Sequence, residues 1–201
     1  MMVIAKQMAL ISLGALALSA CSKADSSKQD APAPKVEAPA QAPAAQAKQA
    51  LMSHSFPVIN AGGYELGSVT INDTPNGVDV VLDITSIPAG AHAIHFHQTG
   101  ACDGPDFTSS GGHYNPHAVD HGHEVESGPH AGDMKNFEAP QSGVVKQTIK
   151  NDKVSLSARD NFAPLLDSDG TALIIHAGPD DYVSQPSGAA GARIACAVIA
   201  K

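Results

Sequence analysis

The sequence predicts an antiparallel all-β domain, a sandwich or barrel, carried behind an N-terminal segment that takes no part in it. Three observations lead there. Short runs alternate apolar and polar residues with a period of two; Gly, Pro and Asn clusters separate several of these runs; and no long stretch of the domain repeats apolar residues at helical spacing. The clearest run sets Val78, Val80, Leu82 and Ile84 against Asp79, Val81, Asp83 and Thr85, the pattern of a strand with one face in a core.

Residues 1–20 read as an address. Lys6 precedes an apolar run over 8–20, which is signal-peptide length and too short to span a bilayer. The run ends in Leu18-Ser19-Ala20-Cys21, which resembles a bacterial lipoprotein box and disfavours a buried core helix or a plain signal peptide. That resemblance implies acyl chains on Cys21, each buried methylene adding about 0.8 kcal/mol of membrane affinity. Ser22 rather than Asp after the Cys favours the outer membrane. Residues 22–50 hold ten Ala, four Pro, four Lys and four Gln, with Val36 as the sole large aliphatic side chain, so nothing there drives collapse. The segment 21–50 is expected to be a lipidated, disordered linker, reaching on the order of 30 Å.

The folded part is therefore residues 51–201. It carries seven basic and seventeen acidic residues, a net formal charge of −10, within a chain of pI about 5.6 that has no Trp. No broad basic face and few stacking aromatics exclude nucleic acid as a partner. Besides 78–84, strands are expected over 66–72, 91–97, 144–149, 153–157, 172–177 and 193–199, with turn signals such as Pro75-Asn76-Gly77, Pro88-Ala89-Gly90 and Asp169-Gly170 between them. Residues 98–135 form one long irregular excursion, and a loop of that length in a compact domain is functional or needs staples. With Cys21 used for lipid, Cys102 and Cys196 remain, and in an exported protein they are expected to pair, tying the excursion to the last strand.

All ten His lie in this domain. His95 and His97, at i and i+2 on a strand, share a face, though such pairs also occur as ordinary half-buried residues. His176 interrupts the apolar run Leu173-Ile174-Ile175 and, taken alone, reads as a satisfied core histidine. The excursion changes this balance. It carries His113, His121, His130 and Asp133, three imidazoles and a carboxylate able to form a closed tetrahedral zinc site.

These residues resemble the copper/zinc superoxide dismutase family, of the bacterial exported type. The matching pieces are His95-Phe96-His97, the gap from His97 to Cys102, Gly111-Gly112-His113-Tyr114-Asn115-Pro116, His130-Ala131-Gly132-Asp133, Ile175-His176 with Asp180 following, and Gly191-Ala192-Arg193-Ile194-Ala195-Cys196. They span nearly all of the domain in the family's order. The resemblance implies a Greek-key antiparallel β-barrel of about eight strands, with a long metal-binding loop and one disulfide. It further implies one copper held by His95, His97, His113 and His176, and one zinc held by His113, His121, His130 and Asp133. His113 would then bridge both ions as imidazolate, and Asp180 would accept hydrogen bonds from His95 and His121. Arg193 would attract the anionic substrate beside copper. The implied reaction is dismutation of superoxide to oxygen and hydrogen peroxide, with Arg193 and His113 in catalytic roles. It would take place on the periplasmic side of the cell envelope, in a monomer or homodimer that touches membrane through Cys21 alone.

The sequence departs from the family pattern in two places. Ala93-Ile94 stands where the family commonly has Gly-Phe, a matter of packing. Residues 177–192 contain no Lys, where many relatives place one to draw in substrate. This leaves the field steering of the anion, for which superoxide dismutases are a documented case rather than an inference from this chain, to Arg193 and the metals. His54, His92, His117 and His123 take no assigned part. His92 reads as structural, and His117 and His123 read as solvated loop residues or as competitors for metal. The reading from another class is a non-catalytic metal-storage protein on the same barrel, which a missing copper ligand or missing Arg193 would favour.

Overall fold

The structure is a computed structural model that describes residues 50–159 and 161–201; the signal segment, Cys21 and all but the last residue of the linker lie outside the described residues. The chain runs through β1 (Ser53–Asn60), β2 (Glu65–Thr74), β3 (Gly77–Ile84), β4 (Gly90–His92), β5 (Ile94–His97), β6 (Phe137–Ala139), β7 (Val145–Asn151), β8 (Val154–Ser155), β9 (Ala163–Pro164), β10 (Thr171–His176) and β11 (Arg193–Ile199). One 3₁₀ turn, Thr108–Ser110, is the sole helical element among the described residues.

Seven strands form one antiparallel sheet in the order β5-β10-β11-β1-β2-β3-β7. Three consecutive strands, β1 to β3, lie side by side, and β11 returns over a long connection to lie beside β1, which is the Greek-key order. The expected strand 91–97 is divided. Ala93 interrupts it, donating its N–H to Gly178 O at 2.8 Å and accepting from His176 N–H at 3.0 Å. As a result β4 pairs with β6 while β5 pairs with β10. Alternation alone missed β1, which contains Pro57. On its β11 side β1 is paired at Ile59 and Asn60, leaving an open edge at Pro57 where a strand proline is tolerated.

The alternating residues do form the core. Val69, Ile71, Val80, Leu82, Ile84, Ile94, Phe96, Leu173, Ile175 and Ile199 are all buried in one cluster, and each such side chain taken from water stabilises by roughly 1.5–3 kcal/mol. The opposite face of β10 is buried too, together with Cys196 of β11. Ile174 and Cys196 pack with Ala172 and Phe107 in a second cluster beneath the excursion. Burial on both faces explains why 172–175 reads as a continuous apolar run rather than an alternating one.

The excursion is held from two sides. Cys102 and Cys196 form a disulfide with Cα atoms 5.8 Å apart across 94 residues, pinning the first part of the excursion to β11. Its later parts pair with the free edge of β5. Tyr114 N–H donates to Phe96 O at 2.8 Å, Phe96 N–H to Gly132 O at 2.9 Å, and Gly132 N–H to Tyr114 O at 2.8 Å. Replacing both cysteines by serine is expected to lower the free energy of unfolding by about 2–5 kcal/mol, read by urea denaturation of metal-free protein. An unchanged midpoint would contradict a stapling role.

Candidate metal centre

The backbone pairing just described sets the site. It places His113 opposite His97 and Asp133 opposite His95 in two isolated bridges, so residues 38 positions apart in sequence stand side by side at one sheet edge. Strand alternation in β5 sends Ile94 and Phe96 into the core and leaves His95 and His97 on the outer face. On the other side of β5, a register shift between Ile175 and His176 aligns His176 with Arg193 across the β10–β11 pair. A bulge of this kind re-aims side chains at a sheet rim.

Two groups of donors result. In the first, one ligand atom from each of His95, His97, His113 and His176 lies within 4.8 Å of the others; the second does the same with His113, His121, His130 and Asp133. All seven residues are buried. The first group converges four nitrogens that have no hydrogen-bond partner: His95 Nδ1, His97 Nε2, His113 Nε2 and His176 Nε2. Buried polar atoms without partners are costly, and a shared cation is what four inward-facing imidazole lone pairs fit. In the second group, His113 Nδ1 lies 2.8 Å and His130 Nδ1 3.3 Å from Asp133 Oδ1. His121 Nδ1 stands 2.9 Å from Asp133 Oδ2 without an aligned hydrogen bond. Three imidazoles around one carboxylate are the chemistry of a closed zinc site. His113 belongs to both groups, one ring nitrogen to each.

The outward nitrogens are fixed as a metal site requires. His97 Nδ1–H donates to Gly111 O at 2.9 Å and His176 Nδ1–H to Gly191 O at 3.1 Å. Asp180 accepts from His95 Nε2–H at 2.9 Å through one oxygen and from His121 Nε2–H at 3.1 Å through the other, joining the two groups. Two residues that sequence reasoning missed hold this scaffold. Asn136 exchanges a pair of 2.9 Å hydrogen bonds with the main chain of Asp180, and Asn151 at the end of β7 donates to Ala131 O at 2.9 Å. Gly188 is a third. Its φ is +67°, and a Cβ there would collide with the Asp180 carboxylate and lie 2.8 Å from His121 Nε2. Asn and Gly in loops carry no sequence signal for such contacts.

Arg193 stands beside three histidines of the first donor group. Its guanidinium donates to Phe107 O at 2.7 Å, Ser110 Oγ at 2.9 Å and Gly111 O at 2.8 Å, all on the stapled part of the excursion. It lines a cavity of about 230 Å³ together with His97, His113, His176, Pro186 and Ser187. The remaining histidines stay outside both donor groups. His92 is a structural residue, with its two ring nitrogens 2.8 Å from His176 O and from Pro88 O. His123 packs edge-on against Tyr182.

Burial sets the protonation of the first group. It pushes the His97 imidazole down to about 2 and His176 to about 3, helped by neighbouring imidazoles, so both are neutral ligands at any physiological pH. Burial also takes His113 down to about 4, against the opposing hydrogen bond to Asp133. His121 goes the other way. Burial disfavours its charge, but the Asp133 and Asp180 carboxylates on its two sides outweigh burial and raise it to about 9.

Comparison with known proteins agrees with this geometry. A family profile described as copper/zinc superoxide dismutase (SODC) matches residues 65–199. A "Superoxide dismutase [Cu-Zn] 1" from Aquifex aeolicus is 41% identical over 152 residues, 75% of this chain and 89% of that relative. A "Superoxide dismutase [Cu-Zn]" from Caulobacter vibrioides is 40% identical over 144 residues, 71% of this chain and 83% of the relative. Among solved structures, a double mutant of a SOD-like protein from Bacillus subtilis superposes with a TM-score of 0.70 at 36% identity, covering 74% of this chain and 97% of that one. That protein is described only as SOD-like, and the chemistry here rests on the donor groups rather than on the fold alone.

A raised His121 makes a proton the competitor of any cation entering the second group. At pH 7 the metal-free ring is charged, so zinc binding is expected to release a proton, and above about pH 9 it no longer does. Calorimetry of zinc binding at pH 7 in buffers of different ionisation enthalpy reads this directly; identical heats in all buffers would refute it.

Proposed function

The chain belongs to the copper/zinc superoxide dismutase family, oxidoreductases that bind one copper and one zinc, and on that premise we propose that His95, His97, His113 and His176 hold the copper and His113, His121, His130 and Asp133 the zinc. The observation that carries the assignment is His113, which turns Nδ1 to the carboxylate-bearing group and an unpartnered Nε2 to the all-imidazole group. With a cation on each side, the His113 ring would lose its second proton and serve both groups as an imidazolate. A carboxylate in one group alone suits the harder, redox-inert ion there, while four imidazoles suit copper.

Copper supplies the one-electron couple by which one superoxide is oxidised to oxygen and the next reduced to peroxide. The protein supplies the rest. The Arg193 guanidinium, held by three acceptors, presents positive charge to a cavity of about 230 Å³, room for a small anion and a few waters. His113 lines the same cavity, and its Nε2, when free of metal, would hold a proton and hand it to the reduced anion, with water giving the second. Two superoxide anions and two protons thus yield one oxygen and one hydrogen peroxide. Asp180 and the Gly111 and Gly191 carbonyls keep the ligand rings aimed while charge moves.

The setting is the cell envelope. A signal over 1–20, a lipidated Cys21 and a linker to residue 50 place the domain on the periplasmic face, tethered to the outer membrane; the residues Leu18-Ser19-Ala20-Cys21 support this.

Superoxide consumption is expected of protein carrying both metals and not of protein carrying zinc alone; equal activity of the two would overturn the assignment. Arg193→Ala is expected to slow the reaction by roughly 10-fold and to flatten its fall between low and physiological ionic strength, over which the screening length shrinks from about 30 to 8 Å. A rate that ignores both salt and the substitution would remove Arg193 from substrate attraction. For the anchor, Cys21→Ser is expected to move the protein from the membrane fraction to the soluble one, and unchanged fractionation would rule out lipidation.

A further inference from the structure

We infer that Gln185 is a positioning residue for the zinc group, clamping the main chain of His121; the inference rests on the assignment of zinc to His113, His121, His130 and Asp133. The ring of His121 is held by Asp133 and Asp180, but a ring is aimed only as well as the backbone that carries it. At His121 the excursion has left the edge of β5, and its peptide groups need other partners. His121 N–H donates to Gln185 Oε1 at 2.9 Å, and Gln185 Nε2–H donates back to His121 O at 2.8 Å. One side-chain amide therefore satisfies both polar main-chain groups of a single ligand, as a neighbouring strand would.

The surroundings make the clamp specific. Gly122 follows at φ +107°, with its backbone so close to Tyr182 O that any Cβ would collide there, and Glu124 N–H donates to Tyr182 O at 3.2 Å. The main chain at 121–124 thus lies against 182–185, and Gln185 makes the contact that reaches the ligand itself. Its amide is turned by a further 3.1 Å bond from Nε2 to Val183 O. The next two residues, Pro186 and Ser187, line the copper-side cavity. A clamp on His121 therefore also seats part of that cavity's wall, and by linkage the seated wall favours the zinc ligand's position.

The test compares full-length wild type, Gln185→Met and Gln185→Glu. Methionine keeps the length of the side chain and loses both bonds; glutamate keeps the acceptor for His121 N–H and loses the donor. Zinc release to a chromogenic chelator is expected to be roughly 10-fold faster from Gln185→Met and intermediate from Gln185→Glu, the scale of outer-sphere substitutions at metal sites. Cobalt(II) placed in the zinc group is expected to show shifted visible bands in the same order. Wild-type release and an unshifted cobalt spectrum in Gln185→Met would overturn the inference while leaving the zinc assignment intact. A lowered urea midpoint of metal-free Gln185→Met together with wild-type zinc release would overturn it as well, since the residue would then be merely structural. Failure of wild type to retain zinc or cobalt would overturn the assignment beneath it.

Discussion

The site depends on one constraint, the pairing of two distant loop segments with the free edge of β5. Three main-chain hydrogen bonds among Phe96, Tyr114 and Gly132 bring His113 beside His97 and Asp133 beside His95. Everything chemical follows from that adjacency. A loop of this length left to itself has no core of its own and no reason to turn three imidazoles and a carboxylate inward, so its order is borrowed from the sheet and from the Cys102–Cys196 disulfide.

The site trades stability for readiness. The seven residues of the two donor groups and Asp180 place imidazoles and carboxylates in buried positions. Burial keeps His97 and His176 neutral, which is what a metal ligand must be, while Asp133 and Asp180 are held well below the usual carboxylate range by the imidazoles around them despite the opposing cost of burial. The folded domain thus carries a hydrogen-bonded network of carboxylates and imidazoles. Asp180 is central to it, because its two oxygens bind one ring from each donor group and so make the groups a single unit.

Arg193 shows how the fold joins chemistry to packing. The bulge that sets it opposite His176, the disulfide three residues on at Cys196, and the carbonyls of Phe107 and Gly111 that receive its guanidinium all belong to one corner of the molecule. Gly111 O accepts from both His97 and Arg193, so a member of the all-imidazole group and the guanidinium beside it share a single acceptor. Within 177–192, which has no lysine, positions 186 and 187 give the cavity Pro and Ser, leaving the fixed charge there to Arg193.

Much of this was legible in the sequence, because strand alternation and ligand chemistry are local. Val78 to Ile84 announces a strand since period two is built into the extended backbone, and His95-Phe96-His97 announces a shared face for the same reason. The cysteine pair was legible too, as were the seven residues that the fold gathers into two donor groups. What the sequence could not decide was which nitrogen of each ring points inward, that β1 would tolerate Pro57, that the strand expected over 91–97 would divide at Ala93, and that Asn136, Asn151, Gln185 and Gly188 would brace the ligands. Those are settled by contacts between residues far apart in the chain. A glutamine or glycine in a loop is chemically silent until the tertiary fold puts a backbone carbonyl, an amide or a carboxylate against it.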